Sequence, residues 1–274
     1  MAVNYSIREL RGAAEELTNK MGIPFNEWSQ SFLKRRLLYA TEKLGIRKHE
    51  QLLEAINNDE QKEEFSRHMT VPVSEMFRDA RLWRTLRQHF NETSYNDTIN
   101  VWIPDVSTGE ELYTLLILAK ENGLSDKMNV WINHNSKSIL KDIENGIVGT
   151  RKLDTNSFNY KRFEGTASFD NYISEIEGGF QLSNDLLKNV NFVHGYFLNT
   201  APQERMDLIL FRNVMLYYKK DFHNTLKDYV DQKLKPGGLL CVGVKEVLPS
   251  PFSSRFECID VKEKIYQKFK VLTD

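Results

Sequence analysis

The stretch from Ile99 to Ala119 constrains the fold of this chain more than any other. A short apolar run from Val101 to Ile103 ends at Pro104-Asp105, and the small residues Ser107-Thr108-Gly109 follow. Apolar residues then recur from Leu112 at three- and four-residue spacing, which indicates an amphipathic helix. A strand, a glycine turn and a helix in this order form the first unit of a doubly wound nucleotide-binding sheet. The stretch therefore predicts an α/β fold.

The turn itself indicates a class of ligand. Gly109 allows the backbone to approach a ligand closely, and the free N–H groups at a helix start favour a polar or anionic group. Glu110 and Glu111 occupy the first helical turn, however, where their charges would repel a pyrophosphate. Carboxylates there suit ribose hydroxyls or a cationic ligand. The turn thus indicates a nucleoside cofactor without phosphates, or else an ordinary helix start whose acidic residues bind no ligand.

Composition excludes several classes of protein. The chain has 274 residues, enough for one large or two modest domains, and its net charge of −1 gives no basic field for a nucleic-acid partner. No apolar run approaches ~20 residues, so neither membrane insertion nor a signal segment is expected. Two cysteines and six scattered histidines indicate neither a disulfide framework nor a metal site, and favour a cytoplasmic location.

The rest of the chain divides into a helical part and an alternating part. Apolar spacing predicts helices over residues 6–21, 26–44, 49–56, 59–68 and 80–90. Strands over residues 128–132, 190–193, 206–211, 239–243 and 262–271 alternate with helices over 138–145 and 220–234, which predicts parallel strands with crossover helices. Glycines and aromatic residues break this rhythm over residues 150–187 and predict an insertion of short antiparallel strands.

Two basic features of the helical part each have two interpretations. Lys34, Arg35 and Arg36 form one positive cluster, which could meet an acidic partner helix or simply face solvent. Arg78 stands beside Met76 and Phe77. It is either a surface arginine whose stem covers apolar groups or a buried arginine directed at a carboxylate.

One turn resembles a methyltransferase fold, and three further segments resemble or take the place of motifs of one family within it. A Leu-Lys-Pro-Gly-Gly turn between a helix and a late strand resembles the fold of S-adenosylmethionine-dependent methyltransferases, and residues 107–113 (STGEELY) resemble the STGEEPY motif of the chemotaxis receptor methyltransferases, the CheR family. Residues 211–218 (FRNVMLYY) resemble that family's CRNVMIYF motif, and residues 242–246 (VGVKE) stand where the family has GHSE. The resemblance covers nearly the whole chain in the same order.

This resemblance implies a fold, an activity and a set of site residues. The expected fold is a doubly wound Rossmann-like sheet over residues 80–274, with a small inserted β subdomain over residues 150–187, preceded by a small all-helical domain and linker over residues 1–79. The implied activity is transfer of a methyl group from S-adenosylmethionine to glutamates of chemoreceptor cytoplasmic helices, leaving S-adenosylhomocysteine, with Lys34, Arg35 and Arg36 docking the helix. The resemblance implies cofactor contacts at Ser74, Arg78, Gly109, Glu111, His134, Phe197 and Asn213, and catalytic roles for Arg78, Arg212 and Tyr217.

The cofactor side departs from the family pattern at three positions. Pro72 and Tyr196 replace asparagines, and His134 replaces the aspartate that ends the second strand. A histidine cannot offer two ribose hydroxyls the two acceptors of a carboxylate. Each lost hydrogen bond costs about 1–3 kcal/mol, so the chain is either an enzyme with weakened cofactor binding or a relative that keeps the fold as a protein-binding or ligand-sensing module. A small-molecule methyltransferase fits less well, because the helical unit matches the receptor-modifying family.

The implied chemistry needs few catalytic groups. A glutamate side chain has an ordinary pKa of about 4.3 and is already an anion near neutral pH, so no general base is required. Positioning in a dry, shaped site is the main requirement. Arg78 could orient the incoming carboxylate and Tyr217 could donate a hydrogen bond near the reacting atoms. The predicted β insertion could dock a receptor tail peptide by strand addition.

Overall fold

A computed structural model describes residue 3 and residues 5–72, 74–93, 98–248 and 255–270. Its helices are α1 Ile7–Met21, α2 Gln30–Lys43, α3 His49–Ala55, α4 Asp59–Met69, α5 Ala80–Glu92, α6 Glu110–Glu121, α7 Lys137–Glu144, α8 Leu153–Phe163 and α9 Phe222–Lys233. Its strands are β1 Ile99–Ile103, β2 Met128–His134, β3 Ile147–Val148, β4 Ile173–Ile176, β5 Gly179–Leu182, β6 Val190–His194, β7 Met206–Phe211, β8 Leu234–Val242, β9 Phe256–Asp260 and β10 Ile265–Lys268. In the part of the chain so described, no helix is long and apolar enough to cross a membrane.

Strands β1 to β10 build one large sheet and one small one. The large sheet has the order β6-β2-β1-β7-β8-β10-β9, and β10 runs antiparallel to both of its neighbours. The pairs β1–β2, β1–β7, β2–β6 and β7–β8 are parallel, with crossover helices between them. The predicted doubly wound α/β fold is therefore confirmed. Strand β9 was not predicted, and the end of the predicted last strand, residue 271, lies outside the described residues.

The two faces of the sheet support two groups of helices. Side chains alternate along a strand, so Val101 and Ile103 pack with α5 to α7, whereas Trp102 packs on the opposite face. That opposite face carries α9 and also the buried residues of α1, α2, α3 and α4. Because the N-terminal helices share this core with the sheet, a boundary between domains at residue 79 remains a prediction.

Local sequence explains how α1 begins. The Oγ atom of Ser6 accepts a hydrogen bond from the backbone of Glu9 at 3.3 Å, and Glu9 Oε2 accepts one from the backbone of Ser6 at 2.8 Å. This capping box satisfies N–H groups that a helix start leaves without partners. The helix buries Leu10 and Leu17 and ends before Gly22, as the spacing predicted.

One predicted helix is wrong in detail because tertiary contacts interrupt it. The expected helix over residues 26–44 is a 3₁₀ turn at Phe25–Glu27 followed by α2. Between them, Trp28 forms a β-bridge with Tyr218, and the backbone N–H of Ser29 donates to the carbonyl of Tyr217 at 2.8 Å. These extended residues tie the helical unit to the loop after β7.

The insertion over residues 150–187 is only partly the predicted β structure. Strands β4 and β5 are antiparallel and join β3 in a three-stranded sheet ordered β3-β5-β4. The segment also contains α8, which the sequence did not predict. Asn156 and Asn159 of α8 are buried and bond to the backbone at Met76, so tertiary contacts stabilise a helix of weak intrinsic propensity.

Candidate functional site

A cavity of about 380 Å³ lies between the helical unit and the ends of β1, β2 and β7. Eight of the expected site residues line it together: Ser74, Arg78, Gly109, Glu111, His134, Arg212, Asn213 and Tyr217. The helical unit supplies the facing wall, which includes Phe25, Trp28, Phe32, Arg35, Met69 and Thr70. The carboxyl ends of parallel strands at a crevice of an open α/β sheet are where such folds bind ligands.

Gly109 lines the cavity and has a backbone conformation that favours a residue without a side chain. Its φ is +96°, a left-handed conformation that residues with a Cβ rarely adopt. A Cβ atom there would lie 2.8 Å from the ring of Tyr113 and 3.2 Å from Ile143. The glycine therefore allows α6 to start directly under the cavity, with Glu111 in its first turn.

Glu111 is held by a buried arginine. Nη1 of Arg212 donates to Oε1 of Glu111 at 2.7 Å, and Nη2 of Arg212 donates to Asp79. Burial raises the pKa of the Glu111 carboxyl above its usual range, although the Arg212 guanidinium acts against this. Burial alone would lower the pKa of Arg212, but Glu111 and Asp79 raise it above the ordinary value, so the guanidinium keeps its charge. Within the described residues, Oε2 of Glu111 accepts no hydrogen bond and remains available to a ligand.

The Asn213 loop is organised by a carboxylate from the segment that follows β8. Glu246 Oε2 accepts hydrogen bonds from the backbone N–H groups of Asn213 at 2.8 Å and Gly243 at 2.6 Å, and Oε1 accepts one from Leu216. Asn213 has a φ of +60°, and this network holds it in that conformation. Glu246 is the last residue of the VGVKE segment, whose role the sequence comparison left undefined.

The linker before α5 presents Arg78 to the cavity. The backbone N–H of Met76 donates to Asn156 Oδ1 at 2.9 Å, and that of Phe77 donates to Thr114 Oγ1 at 2.8 Å. Phe77 has a φ of +55°, a strained conformation for an aromatic residue. These bonds fix the neighbouring Arg78, whose guanidinium forms no ion pair within the described residues. The sequence offered two interpretations of Arg78, a surface arginine and a buried arginine paired with a carboxylate. Neither applies, because Arg78 is half-buried at the cavity wall and has no ion pair there.

His134 lines the cavity, but the protein itself uses both of its ring nitrogens. Nδ1 accepts a hydrogen bond from the backbone of Ser136 at 2.8 Å, so the proton is assigned to Nε2, which lies 3.2 Å from Thr70 Oγ1. Burial lowers the pKa of His134 to about 4, so the ring is neutral near pH 7. The expected contact of His134 with a cofactor stays a prediction: the residue lines the cavity, but both ring nitrogens already contact protein atoms.

A carboxylate of the helical unit fixes the loop that follows His134. Glu63 of α4 accepts hydrogen bonds from Ser136 Oγ at 2.6 Å and from the backbone of Lys137 and Ser138 at 2.9 Å each. It thus caps α7 from another part of the chain, where a negative charge is favourable. Burial opposes ionisation, but these hydrogen bonds lower the pKa of Glu63 below its usual range.

Three other residues that the resemblance singled out lie away from the cavity wall. Phe197 is 2% exposed and packs against Trp102 and Phe211 in the core, so its expected cofactor contact stays a prediction without support from the cavity lining. Tyr196 is buried as well, and its hydroxyl lies 3.2 Å from that of Tyr218. Pro72 is exposed. Neither Tyr196 nor Pro72 therefore fills the cavity.

Tyr217 connects the cavity to the helical unit. Its ring stacks on Phe32 of α2, with the ring centroids 4.2 Å apart. Burial raises the pKa of Tyr217, and the nearby Asp105 carboxyl raises it further. The phenol therefore keeps its proton near neutral pH and can donate a hydrogen bond into the cavity.

The basic cluster of α2 does not act as one surface. Arg36 is buried, and its guanidinium donates to the backbone carbonyls of Met69 at 3.1 Å, Thr70 at 2.6 Å and His68. Lys34 donates to a backbone carbonyl near the start of the chain at 3.2 Å. The expected docking role of Arg36 is thus wrong, because the residue terminates α4. Arg35 is exposed at the cavity mouth, 5.6 Å from the centre of the Phe32 ring.

Sequence reasoning missed several residues that shape the site. Asp79 and Trp83 accompany Arg212, and Asp105 lines the cavity directly after β1. The position of Asp105 between the first strand and the glycine turn was a usable signal, whereas the other two contacts join distant segments. Among the described residues, no cluster of three or more His, Cys, Asp or Glu side chains could hold a metal ion.

Comparisons with known proteins agree with this architecture. Residues 72–265 match the family described as "CheR methyltransferase, SAM binding domain". A protein named methyltransferase Cher3 from Pseudomonas putida is 27% identical over 263 residues, which cover 95% of this chain and 96% of that protein. Chemotaxis protein methyltransferase 2 from Vibrio cholerae is 25% identical, covering 86% of this chain and 84% of its own length.

A solved class I S-adenosylmethionine-dependent methyltransferase from Listeria monocytogenes is 13% identical, with a TM-score of 0.43, and covers 97% of this chain and 87% of its own. The family match spans well over half of the sequence and includes the glycine turn, the Arg212 loop and the cavity wall at the strand ends, but not the wall that the helical unit supplies. The chain belongs to the CheR family of S-adenosylmethionine-dependent methyltransferases.

Proposed function

We propose that this chain methylates glutamate side chains on chemoreceptor-type helices. The observation that carries the proposal is one cavity in which a carboxylate beside a glycine turn faces an arginine and a tyrosine. All four residues line this cavity, and in the proposal Glu111 and Gly109 contact the cofactor whereas Arg78 and Tyr217 contact the substrate. The curated relatives named chemotaxis protein methyltransferase support the same class of substrate.

The residues present fit an S-adenosyl cofactor. A cavity of about 380 Å³ lies within the usual range for small-molecule sites, about 300–1,000 Å³. Glu111 Oε2 can accept a hydrogen bond from a ribose hydroxyl, because only Oε1 is engaged by Arg212. Asn213 and the backbone at Gly109 provide further polar atoms. In the proposal the ribose hydroxyls bind Glu111 rather than His134, because both ring nitrogens of His134 already contact Thr70 and Ser136.

The remaining residues would orient the acceptor carboxylate. When bound, S-adenosylmethionine supplies a methyl group activated by its positively charged sulfur. The Arg78 guanidinium, which has no ion pair within the described residues, can bind one oxygen of a substrate glutamate and direct the other toward that methyl group. Tyr217 can donate a hydrogen bond at the same wall. No base is needed, since a glutamate is ionised near pH 7.

The substrate must reach the cavity past the helical unit. Arg35 is exposed at the mouth, and its charge would attract an acidic helix surface. Lys34 lies on the same helix and is partly exposed. We therefore propose that the docking contact uses Arg35 and Lys34, without Arg36. Chemoreceptor methylation helices are cytoplasmic, so the proposal implies the same location for this chain.

Calorimetric titration with S-adenosylmethionine tests the cofactor side. We expect micromolar binding to the wild-type chain and a loss of tenfold or more in Glu111→Gln, which keeps the shape and removes the charge. Glu110→Gln is the matched control, since the neighbouring Glu110 is buried against Thr108 and Lys152 and does not line the cavity. Equal affinities in both variants would place the cofactor elsewhere.

Transfer of a labelled methyl group tests the activity. We expect base-labile label on a peptide helix that carries paired glutamates, and none when glutamines replace those residues. Arg78→Met should abolish the label while S-adenosylmethionine still binds. Cofactor binding without any transfer to such helices would contradict the proposed substrate and favour a module that has kept the fold and lost catalysis.

A further inference from the structure

Two loops beside the cavity carry exposed apolar side chains. Leu216, in the loop after β7, is 47% exposed and lines the cavity next to Tyr217. Val244 and Val247, in the segment after β8, are 38% and 77% exposed. A group of exposed apolar side chains beside a cavity marks an interaction surface, whereas single ones are ordinary on any protein. We call Leu216, Val244 and Val247 the apolar lip.

The two loops are joined, so the apolar lip is one surface. Glu246, itself 2% exposed, accepts a hydrogen bond from the backbone N–H of Leu216 at 3.3 Å. The backbone N–H of Glu246 donates to the carbonyl of Gly243 at 2.8 Å and closes a turn. Both valines lie within two residues of Glu246, which brings them close to Leu216. Because these hydrogen bonds hold both loops, the lip is formed before a partner binds.

Positive charge lies beside the apolar lip on two elements. Lys245 stands between the two valines and is exposed. On the facing helix α2, the Arg35 guanidinium lies 5.6 Å from the centre of the Phe32 ring. Phe32 in turn stacks on Tyr217, with the ring centroids 4.2 Å apart. Arg35 and the apolar lip therefore adjoin one aromatic stack at the cavity.

A surface of this composition fits an amphipathic acidic helix. Side chains three and four residues apart lie on one face of a helix, so a glutamate can enter the cavity while an apolar side chain one turn away reaches its rim. That apolar side chain would leave water against the apolar lip, and other carboxylates of the helix would face Arg35 and Lys245. Charge alone attracts acidic helices in many registers, whereas an apolar contact at a fixed place favours one register.

We propose that the apolar lip binds the apolar side chain one helical turn from the glutamate that is methylated. The contact would thereby select which glutamate of a substrate helix enters the cavity. The inference rests on the proposed function, and it adds a contact that sets the register to the attraction by Arg35 and Lys34. The residues of the lip determine specificity and take no part in the methyl transfer itself.

Steady-state transfer of labelled methyl groups tests the apolar lip. The probe is a peptide helix with one glutamate and with leucines four residues before and after it, at saturating S-adenosylmethionine. We expect Leu216→Ser and Val247→Ser to raise the peptide KM at least about fivefold, because less apolar area is buried, with kcat within about twofold of the wild type. Leu216→Met keeps an apolar contact and should restore the wild-type KM.

Ile7→Ser is the matched control. Ile7 is 66% exposed at the start of α1, and Met21 at the other end of the same helix lines the cavity. The helical rise per residue places the two about 21 Å apart, so the peptide KM should not change. If the two lip variants behave as this control does, the inference is wrong. A fall in kcat at an unchanged KM would also overturn it, because the loop that carries Tyr217 would then have moved.

A second peptide identifies the side chains that the apolar lip contacts. In this peptide serines replace both leucines. We expect the wild-type KM to rise, and Leu216→Ser to add little further loss, because the contact is already absent. Additive losses from the peptide and the protein substitution would show that the lip does not meet these side chains, which contradicts the inference.

The possible failures are distinguishable. If the wild-type chain labels no glutamate helix, the proposed function fails and the inference fails with it. If the wild type labels the leucine and serine peptides equally well, only the inference fails. Sedimentation provides the last test: a wild-type dimer that Val247→Asp converts to a monomer would assign the apolar lip to a contact between two copies of the chain, and would overturn the inference.

Discussion

The guanidinium of Arg212 joins Glu111, 101 residues earlier in the chain, to the linker before α5: Nη1 donates to Glu111 Oε1 at 2.7 Å, and Nη2 donates to Asp79. Asp79 itself has a φ of +57°, so the contact fixes a strained residue. Trp83 covers the guanidinium, with its ring centre 6.0 Å from the central carbon. One cation thus positions both the cofactor side and the Arg78 side of the cavity.

Arg212→Met should destabilise the protein. The substitution leaves the Glu111 and Asp79 carboxylates partly buried without their shared cation, which we expect to lower the free energy of unfolding by about 3 kcal/mol. Urea denaturation measures the change. Lys141→Met is the control, since Lys141 and Glu144 form an exposed pair that contributes less than about 1 kcal/mol. Equal losses in the two variants would show that the Arg212 network stabilises the protein no more than an exposed ion pair does.

The sheet could be predicted from sequence because its signals are local. Each of β1, β2 and β7 is a short apolar run that stops at a turn or polar residues, and the alternation with helices allows few topologies. Gly109 and Glu111 were identified for the same reason, since the turn and the first helical turn are contiguous. The CheR motifs then defined the positions of Arg212, Asn213 and Tyr217.

The remaining features depend on contacts between distant segments. Arg36 shares a basic triplet with Arg35 and gives no local sign that it terminates α4 through backbone carbonyls of residues 68–70. The two nitrogens of His134 are occupied by Thr70 and Ser136, and only the packed structure shows this. Helix α8 escaped prediction because asparagines and aromatic residues favour helices weakly, and its buried contacts decide the outcome.

Gly243→Ala should disrupt the site that Glu246 organises. A Cβ atom at this position would lie 2.6 Å from Asn213 Oδ1 and 2.9 Å from Glu246 Oε2, and 3.0 Å from the backbone nitrogen of Asn213. The backbone of Asn213 cannot rotate away from the new Cβ atom as a flexible side chain could. We therefore expect the whole loop to be displaced. The free energy of unfolding should fall by about 1–3 kcal/mol, and cofactor binding should weaken.

The same substitution at Gly12 gives the opposite expectation. Gly12 lies inside α1, and a Cβ atom there would meet nothing within 4 Å. Gly12→Ala should therefore raise the free energy of unfolding by about 0.5–1 kcal/mol, because alanine loses less backbone entropy in a helix. Thermal or urea unfolding measures the stability of both variants. If Gly243→Ala were as stable as Gly12→Ala, the predicted clash with the Asn213 loop would be wrong.

The buried neutral ring of His134 should make the protein sensitive to mild acid. Its folded-state pKa is about 4, below the ordinary value of 6.5 that applies in the unfolded chain. Between these values the unfolded state binds a proton that the folded state does not, so stability is fully present above pH 6.5 and decreases as the pH falls toward 4. From pH 7 to pH 5 we expect His134 to account for about 2 kcal/mol of lost stability.

His134→Gln isolates this contribution. A glutamine can accept from the backbone of Ser136 or donate to Thr70, but it does not titrate. His68 and His89, whose pKa values are also lowered by burial, remain in both proteins, so their effects cancel in the difference. Urea unfolding between pH 5 and pH 8 should show a steeper decline for the wild type. Parallel curves would mean that the ring accepts its proton without leaving the Ser136 and Thr70 contacts, and that His134 is not held neutral by burial.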